Sequence, residues 1–140
     1  MNGRTIGYWG ATLLFCLVMV GGGVADIVLA EPVKETLVRL GYPSYLGPLL
    51  GVFKLLGVAA LLIPGFPILK EWAYAGFTFD LIGAFVSHLA AGDPGGEAFP
   101  PVAILGIMLA SYLLRPESRR PAPALNEPPL PASVSVAPKG

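Results

Sequence analysis

The sequence predicts an all-α integral membrane protein: a bundle of four spanning helices, a short interfacial helix between the first two, and a disordered C-terminal tail. Three observations carry this prediction. Hydrophobic residues make up 54% of the 140 and charged residues only 13%, against about a quarter charged in an ordinary soluble domain. The mean hydropathy is +0.69, so too little polar surface exists to cover the chain in water. The apolar residues are also gathered into four runs near the length that a helix needs to cross a bilayer, roughly 20 residues with a usual range of about 17–25. Backbone groups in lipid must be bonded within their own segment, which makes such runs helices.

The first run, about Tyr8 to Ala30, contains "ATLLFCLVMVGGGVADIVLA". A rival reading as a cleaved signal peptide comes from "VLA" before Glu31, which fits small-residue cleavage. The length of the run, and Asp26 just before that cut, favour an uncleaved helix. In "EPVKETLVRLGYPSY", Pro32 suits a helix start, and Val33, Leu37, Val38 and Leu40 fall on one side with Lys34, Glu35 and Arg39 elsewhere. That pattern predicts a short amphipathic helix on the membrane surface, ended by Gly41. The second run spans about Tyr45 to Ile63 and stops at Pro64-Gly65, where "PGFPILK" makes a tight turn. The third, "EWAYAGFTFDLIGAFVSHLAA", covers about Glu71 to Ala91. "GDPGGEA" reads as a polar loop, after which the fourth run covers about Phe99 to Leu114, with Pro100 or Pro101 in its first turn. From Pro116 to Gly140 the chain holds seven of the fifteen prolines and should be a disordered cytoplasmic tail.

Net charge is zero and no basic block occurs, so there is no electrostatic footprint for nucleic acid. The single Cys16 cannot form an intrachain disulfide, and no Cys/His spacing suggests a metal site. Lysines and arginines near the helix ends set orientation. Arg4, Lys70, Arg115, Arg119 and Arg120 fall on the side of both termini, with Lys34 and Arg39 on the other. A multi-pass protein of the inner (plasma) membrane with both termini cytoplasmic follows.

Ionisable residues inside spanning helices are costly, by roughly 2.5–3.5 kcal/mol each on insertion scales, and tend to face the protein interior. The candidates are Asp26, Lys54, Asp80 and His88, with Ser87 beside them. In the third run Ala73, Gly76, Asp80, Gly83, Ser87 and Ala90 recur at spacings of three and four, predicting a close-packing seam with a carboxylate at its centre. Phe77, Phe79 and Leu81 fall on the remaining surface. The second run has Gly47, Gly51 and Lys54 in register, with Gly57 nearby. At about 1.5 Å per residue, Lys54 lies about 14 Å from the outer end of its helix and Asp80 about 16 Å from the outer end of its own. An ion pair between them is expected. Asp26, about 6 Å from the outer end by the same rise, and His88 should form a shallower layer near Tyr42, Tyr45 and Asp93. Two readings stay open: the charged pair fixes which helix faces which, or it floors a cavity open to the outside. Tyr8, Trp9, Trp72, Tyr74 and Tyr112 read as an interfacial aromatic belt, and Cys16 as a packing residue.

"LGYPSYLGPLLGVFKLLGVAALLIP", "LKEWAYAGFTFDLIGAFVSHLAAGD" and "SYLLRP" closely resemble the DoxX-like family of small bacterial four-helix membrane proteins. The resemblance covers about Tyr8 to Pro116, and Lys70 to Asp93 is its most specific part. It implies four spans and an uncleaved first helix. The wider superfamily implies association with membrane redox complexes, including a subunit of a thiosulfate:quinone oxidoreductase, and with a chaperone for channel assembly. Catalytic constellations, a histidine pair for haem and a nucleotide loop are missing from the sequence, so the chain is expected not to be an enzyme on its own, and no cofactor is required. The expected role is an accessory or assembly subunit whose partners are membrane lipid and other membrane proteins or further copies of itself. The alternative is a quinone-interacting subunit of a membrane oxidoreductase, with Lys54, Asp80 and His88 lining a polar site. A small transporter is the third reading, weakened by the lack of inverted repeats.

Overall fold

The structure, a computed structural model, describes residues 2–93 and 95–122. The described chain is helical throughout, with five α-helices and one short 3₁₀ turn: α1 Gly3–Ile27, α2 Glu31–Leu40, α3 Leu46–Leu62, α4 Pro67–Ala90, α5 Gly95–Leu114, and the turn Glu117–Arg119. Three of them, α1, α4 and α5, are long and apolar enough to cross a membrane, while α3 is apolar but has 17 residues. α1 packs against α3 and α5, and α4 against α5 and α3, so the four long helices stand in the cyclic order α1–α3–α4–α5. The short α2 rests against α3.

Each boundary has a local cause. Asn2 caps α1 by accepting from the Thr5 amide at 3.0 Å. Pro32 sits in the first turn of α2, and Gly41 ends it at φ 75°, the left-handed conformation that glycine adopts without cost. α4 starts one turn earlier than its apolar run, at Pro67, whose fixed φ suits a first helical position. α5 also starts earlier, at Gly95, which puts Pro100 and Pro101 inside the helix rather than in its first turn. The amide bonds those prolines cannot make would have gone to the carbonyls of Gly96 and Glu97, and both residues are exposed. Glu97 in the first turn also complements the helix dipole.

The core runs between the four long helices: Phe15, Cys16 and Met19 from α1, Val58 and Leu61 from α3, Tyr74, Phe77 and Leu81 from α4, Met108 from α5. Phe15 and Phe77 meet edge to face with ring centroids 4.9 Å apart. Much of the apolar side-chain surface points outward instead, Trp72 (73% exposed) and Phe79 (74%) among it, as expected of a chain whose solvent is lipid.

Two expectations about faces are corrected. The buried face of α4 is Lys70, Tyr74, Phe77 and Leu81, not the small-residue seam. A Cβ at Gly76 or Gly83 would meet nothing within 4 Å. Large side chains space α4 from its neighbours, and the small residues leave a groove instead of a close approach. Nor do the aromatics form one belt: Tyr8 (1% exposed) and Tyr74 (4%) are core residues.

The chain does not leave the helices as a free tail at Pro116 either. Arg119 donates to the Leu61 carbonyl at 2.9 Å and stacks over Trp9 at 4.6 Å, and Arg120 donates to the Arg115 carbonyl at 2.9 Å. These contacts hold the segment to about residue 120 against the ends of α1 and α3. The rest of the expected disordered tail, 123–140, lies outside the described residues.

Candidate functional site

Glycines set the site. Gly23 on α1 and Gly51 on α3 face each other: a Cβ on Gly51 would stand 2.5 Å from the Gly23 carbonyl oxygen, and one on Gly23 would stand 3.1 Å from that of Gly51. Gly47, one turn up, lies under the Asp26 carbonyl and the Leu29 side chain. Only glycine permits backbones this close. The contact brings Asp26 level with Gly47–Gly51, and the Lys54 stem reaches one turn to meet it. Lys54 Nζ donates to Asp26 Oδ2 at 2.7 Å. Asp80 Oδ2 lies 3.8 Å from the same nitrogen, within ion-pair range but too long for a hydrogen bond. The three side chains are 14–20% exposed.

The expected Lys54–Asp80 proximity is therefore present, but Asp26 is the closer partner and belongs to the same layer. Depth measured along each helix from its own end ignores the stagger between helices, and the glycine contact sets that stagger.

A second polar group lies toward the ends of α2 and α4. His88 Nδ1 is 2.6 Å from Asp93 Oδ2. Arg39 Nε lies 3.1 Å from Asp93 Oδ1, and the same guanidinium also binds Glu97. The Tyr42 hydroxyl is 2.7 Å from Ser87 Oγ. α2, α4 and α5 are tied together here, and Arg39 and Glu97 are participants that sequence reasoning missed. The Arg39 position on the polar face of α2 was the available signal. The donor atoms of His88, Asp93 and Glu97 lie within 4.8 Å of one another, an arrangement that could hold a cation. The Arg39 guanidinium already supplies positive charge to both carboxylates, so the group reads as an ion network.

Between the two polar groups is a cavity of about 760 Å³. Asp26, Lys54, Asp80, Ser87 and His88, on α1, α3 and α4, all line it. Leu37 and Leu40 of α2, Leu50 of α3 and Ile104 of α5 are among its apolar walls. This is the composition of a small-molecule site: apolar walls with a few convergent polar groups. Lys54 spends one of its three N–H donors on Asp26, so its ammonium and the Asp80 carboxylate both keep hydrogen-bonding capacity for an occupant.

The opposite end of the helices is polar inside as well. Ser111 Oγ is 2.6 Å from Thr12 Oγ1 and 2.8 Å from the Tyr74 hydroxyl, all buried. Lys70, wholly buried, donates to the Ala60 carbonyl at 2.9 Å and to that of Ile63, closing the C-terminus of α3. Arg115 pairs with Glu71 and lies over the rings of Tyr74 and Tyr112 at 5.4 and 4.9 Å. None of these groups lines the cavity, and their contacts close a helix end, pack a ring or bond one helix to another. The arrangement is structural.

The sequence profile of the DoxX-like family matches residues 10–111. No functionally described protein and no solved structure gave a significant match. The chain belongs to the DoxX-like family.

Proposed function

Taking DoxX-like membership as the premise, we propose that this membrane protein is a quinone-interacting accessory subunit of a membrane complex, its cavity receiving the polar head of a quinone-like amphiphile. The observation that carries this is the cavity itself: large enough for a ring head group, apolar in its walls, and floored by an Asp80 carboxylate beside the Lys54 ammonium. Lys54 would donate toward a carbonyl, and Asp80 would accept from a hydroxyl. In this reading the four long helices form a spanning bundle, α2 lies at the outer interface as the cavity's roof, and both termini are cytoplasmic in the inner membrane. The segregation of Arg4, Lys70, Arg115, Arg119 and Arg120 toward one end supports that orientation.

One observation favours a second reading. The Lys54–Asp26 hydrogen bond is complete without any ligand, which makes the charged layer a device that fixes α1 against α3 and leaves the protein an assembly partner alone.

Expression at native level, purification in mild detergent, solvent extraction for quinones and mass spectrometry of co-purifying proteins separate the two. A near-stoichiometric quinone, lost in an Asp80→Asn variant that remains folded and unfolds within a few degrees of the parent, is the expected result. A stoichiometric protein partner with no extractable quinone would leave only the assembly role.

A further inference from the structure

A second cavity, of about 500 Å³, lies between α3 and α4. It shares Leu50, Lys54, Phe79 and Asp80 with the first, so the Lys54–Asp80 contact is the wall between them. That wall is thin. The two charged groups stand 3.8 Å apart without a hydrogen bond, and Lys54 is drawn toward Asp26 on the far side. Beyond the wall the lining is apolar, with Phe53, Phe77 and Trp72. Trp72 and Phe53 are exposed on the outer surface of the helices (73% and 59%), so the groove opens sideways, where the helices face lipid. Gly76 leaves open space along it, with nothing within 4 Å of a would-be Cβ.

We propose that the groove between α3 and α4 is the channel for the apolar chain of the cavity's ligand, so that the ligand is an amphiphile with a compact polar head and a single long hydrocarbon or isoprenoid chain. This rests on the cavity reading above and adds the ligand's shape and its route. The head lies against Asp80 and Lys54, the chain runs past their side chains and over Gly76, and its end remains in the bilayer. Entry is lateral: the head crosses from lipid into the cavity by parting a contact that holds no hydrogen bond. A chainless head group fills the cavity but leaves the groove empty. A ligand with two bulky chains fills neither, because the opening is bounded by the rings of Phe53, Phe77 and Trp72.

The test uses the full chain in lipid nanodiscs and two probes, a decyl-substituted benzoquinone carrying a photoreactive group at the chain end and its chainless parent. After illumination, cross-linked peptides are identified, counting only labelling that excess unlabelled decyl-quinone competes away. Labelling at Phe53, Gly57, Trp72 or Gly76 is expected. In Gly76→Leu, whose side chain occupies the open groove, affinity for the chained probe should fall by at least about tenfold, comparable to the loss of a few buried methylenes, while affinity for the chainless parent stays the same. Competable labels confined to the far mouth of the cavity, at Thr36 or Pro101, would overturn the chain route and leave the cavity reading standing. No competable labelling, with no saturable binding of either probe, would remove both.

Discussion

Lys54 shows how a charge inside an apolar helix is accommodated. Its stem is long enough to carry the ammonium one turn along α3 to Asp26, while Asp80 contributes attraction without a hydrogen bond. The two carboxylates should therefore differ in what they do for stability. Asp26→Asn weakens a charge-assisted bond and should lower unfolding stability in mild detergent by about 2 kcal/mol. Asp80→Asn should cost well under half of that. Lys54→Met should be the most damaging single change, because it leaves two carboxylates facing each other without a counter-charge, and adding Asp26→Asn to it should recover part of the loss. Denaturant titrations of the four variants check the order. Equal effects of Asp26→Asn and Asp80→Asn would show that the geometry does not set the energetics. That the charged residues would gather was legible in the sequence, since few other arrangements satisfy ions in lipid. Which carboxylate would be bonded was not, because a rise per residue gives depth within a helix and says nothing of its stagger against another.

At the scale of elements, small residues have two opposite consequences here. Gly51 and Gly23 let α1 and α3 touch, whereas Gly76 and Gly83 border open space. Gly51→Leu should force the pair apart at a cost of about 1–3 kcal/mol or more and separate Asp26 from Lys54, visible as a lower thermal midpoint. Gly83→Ala meets no neighbour and removes a helix-interior glycine, so it should raise the midpoint slightly. The spacing of small residues was readable from the sequence alone, but it cannot distinguish a contact from a gap, because both present as a stripe without bulk. Helix ends follow the same logic. Lys70 looks like one more interfacial lysine, yet it is buried and closes the C-terminus of α3. Lys70→Met should cost about 1–3 kcal/mol through the carbonyls left without a donor. Lys34→Met, which breaks an exposed pair with Glu31, should change stability by less than about 1 kcal/mol. The same denaturant titration measures both.

For the whole molecule the open quantity is the number of crossings, and it turns on α3. Its 17 residues rise about 25 Å, short of the roughly 30 Å of a typical hydrocarbon core. Its two ends nevertheless meet the same layers as the two ends of α1. Gly47 lies against the Asp26 backbone near the C-terminus of α1, and the Leu61 carbonyl accepts from Arg119, which also reaches the Tyr8 hydroxyl near the N-terminus at 3.5 Å. A helix that entered and returned on one side could not share both layers with a spanning neighbour. On the proposed four-span reading α3 crosses, with the shortfall met by local bilayer thinning. Cys16, the single cysteine and buried, can be replaced by alanine, and single cysteines placed at Asn2, Glu35, Pro64, Ala91 and Ser118 report sidedness to a membrane-impermeant maleimide. The expected pattern is labelling of the Glu35 and Ala91 positions in intact spheroplasts, and of the other three only after permeabilisation. If the Pro64 position labels from the same side as Glu35, α3 does not cross, and the Ala91 and Ser118 positions must exchange sides with it. The termini would then lie on opposite faces, and the cavity, the groove and the five-cation end would have to be reassigned to different membrane surfaces.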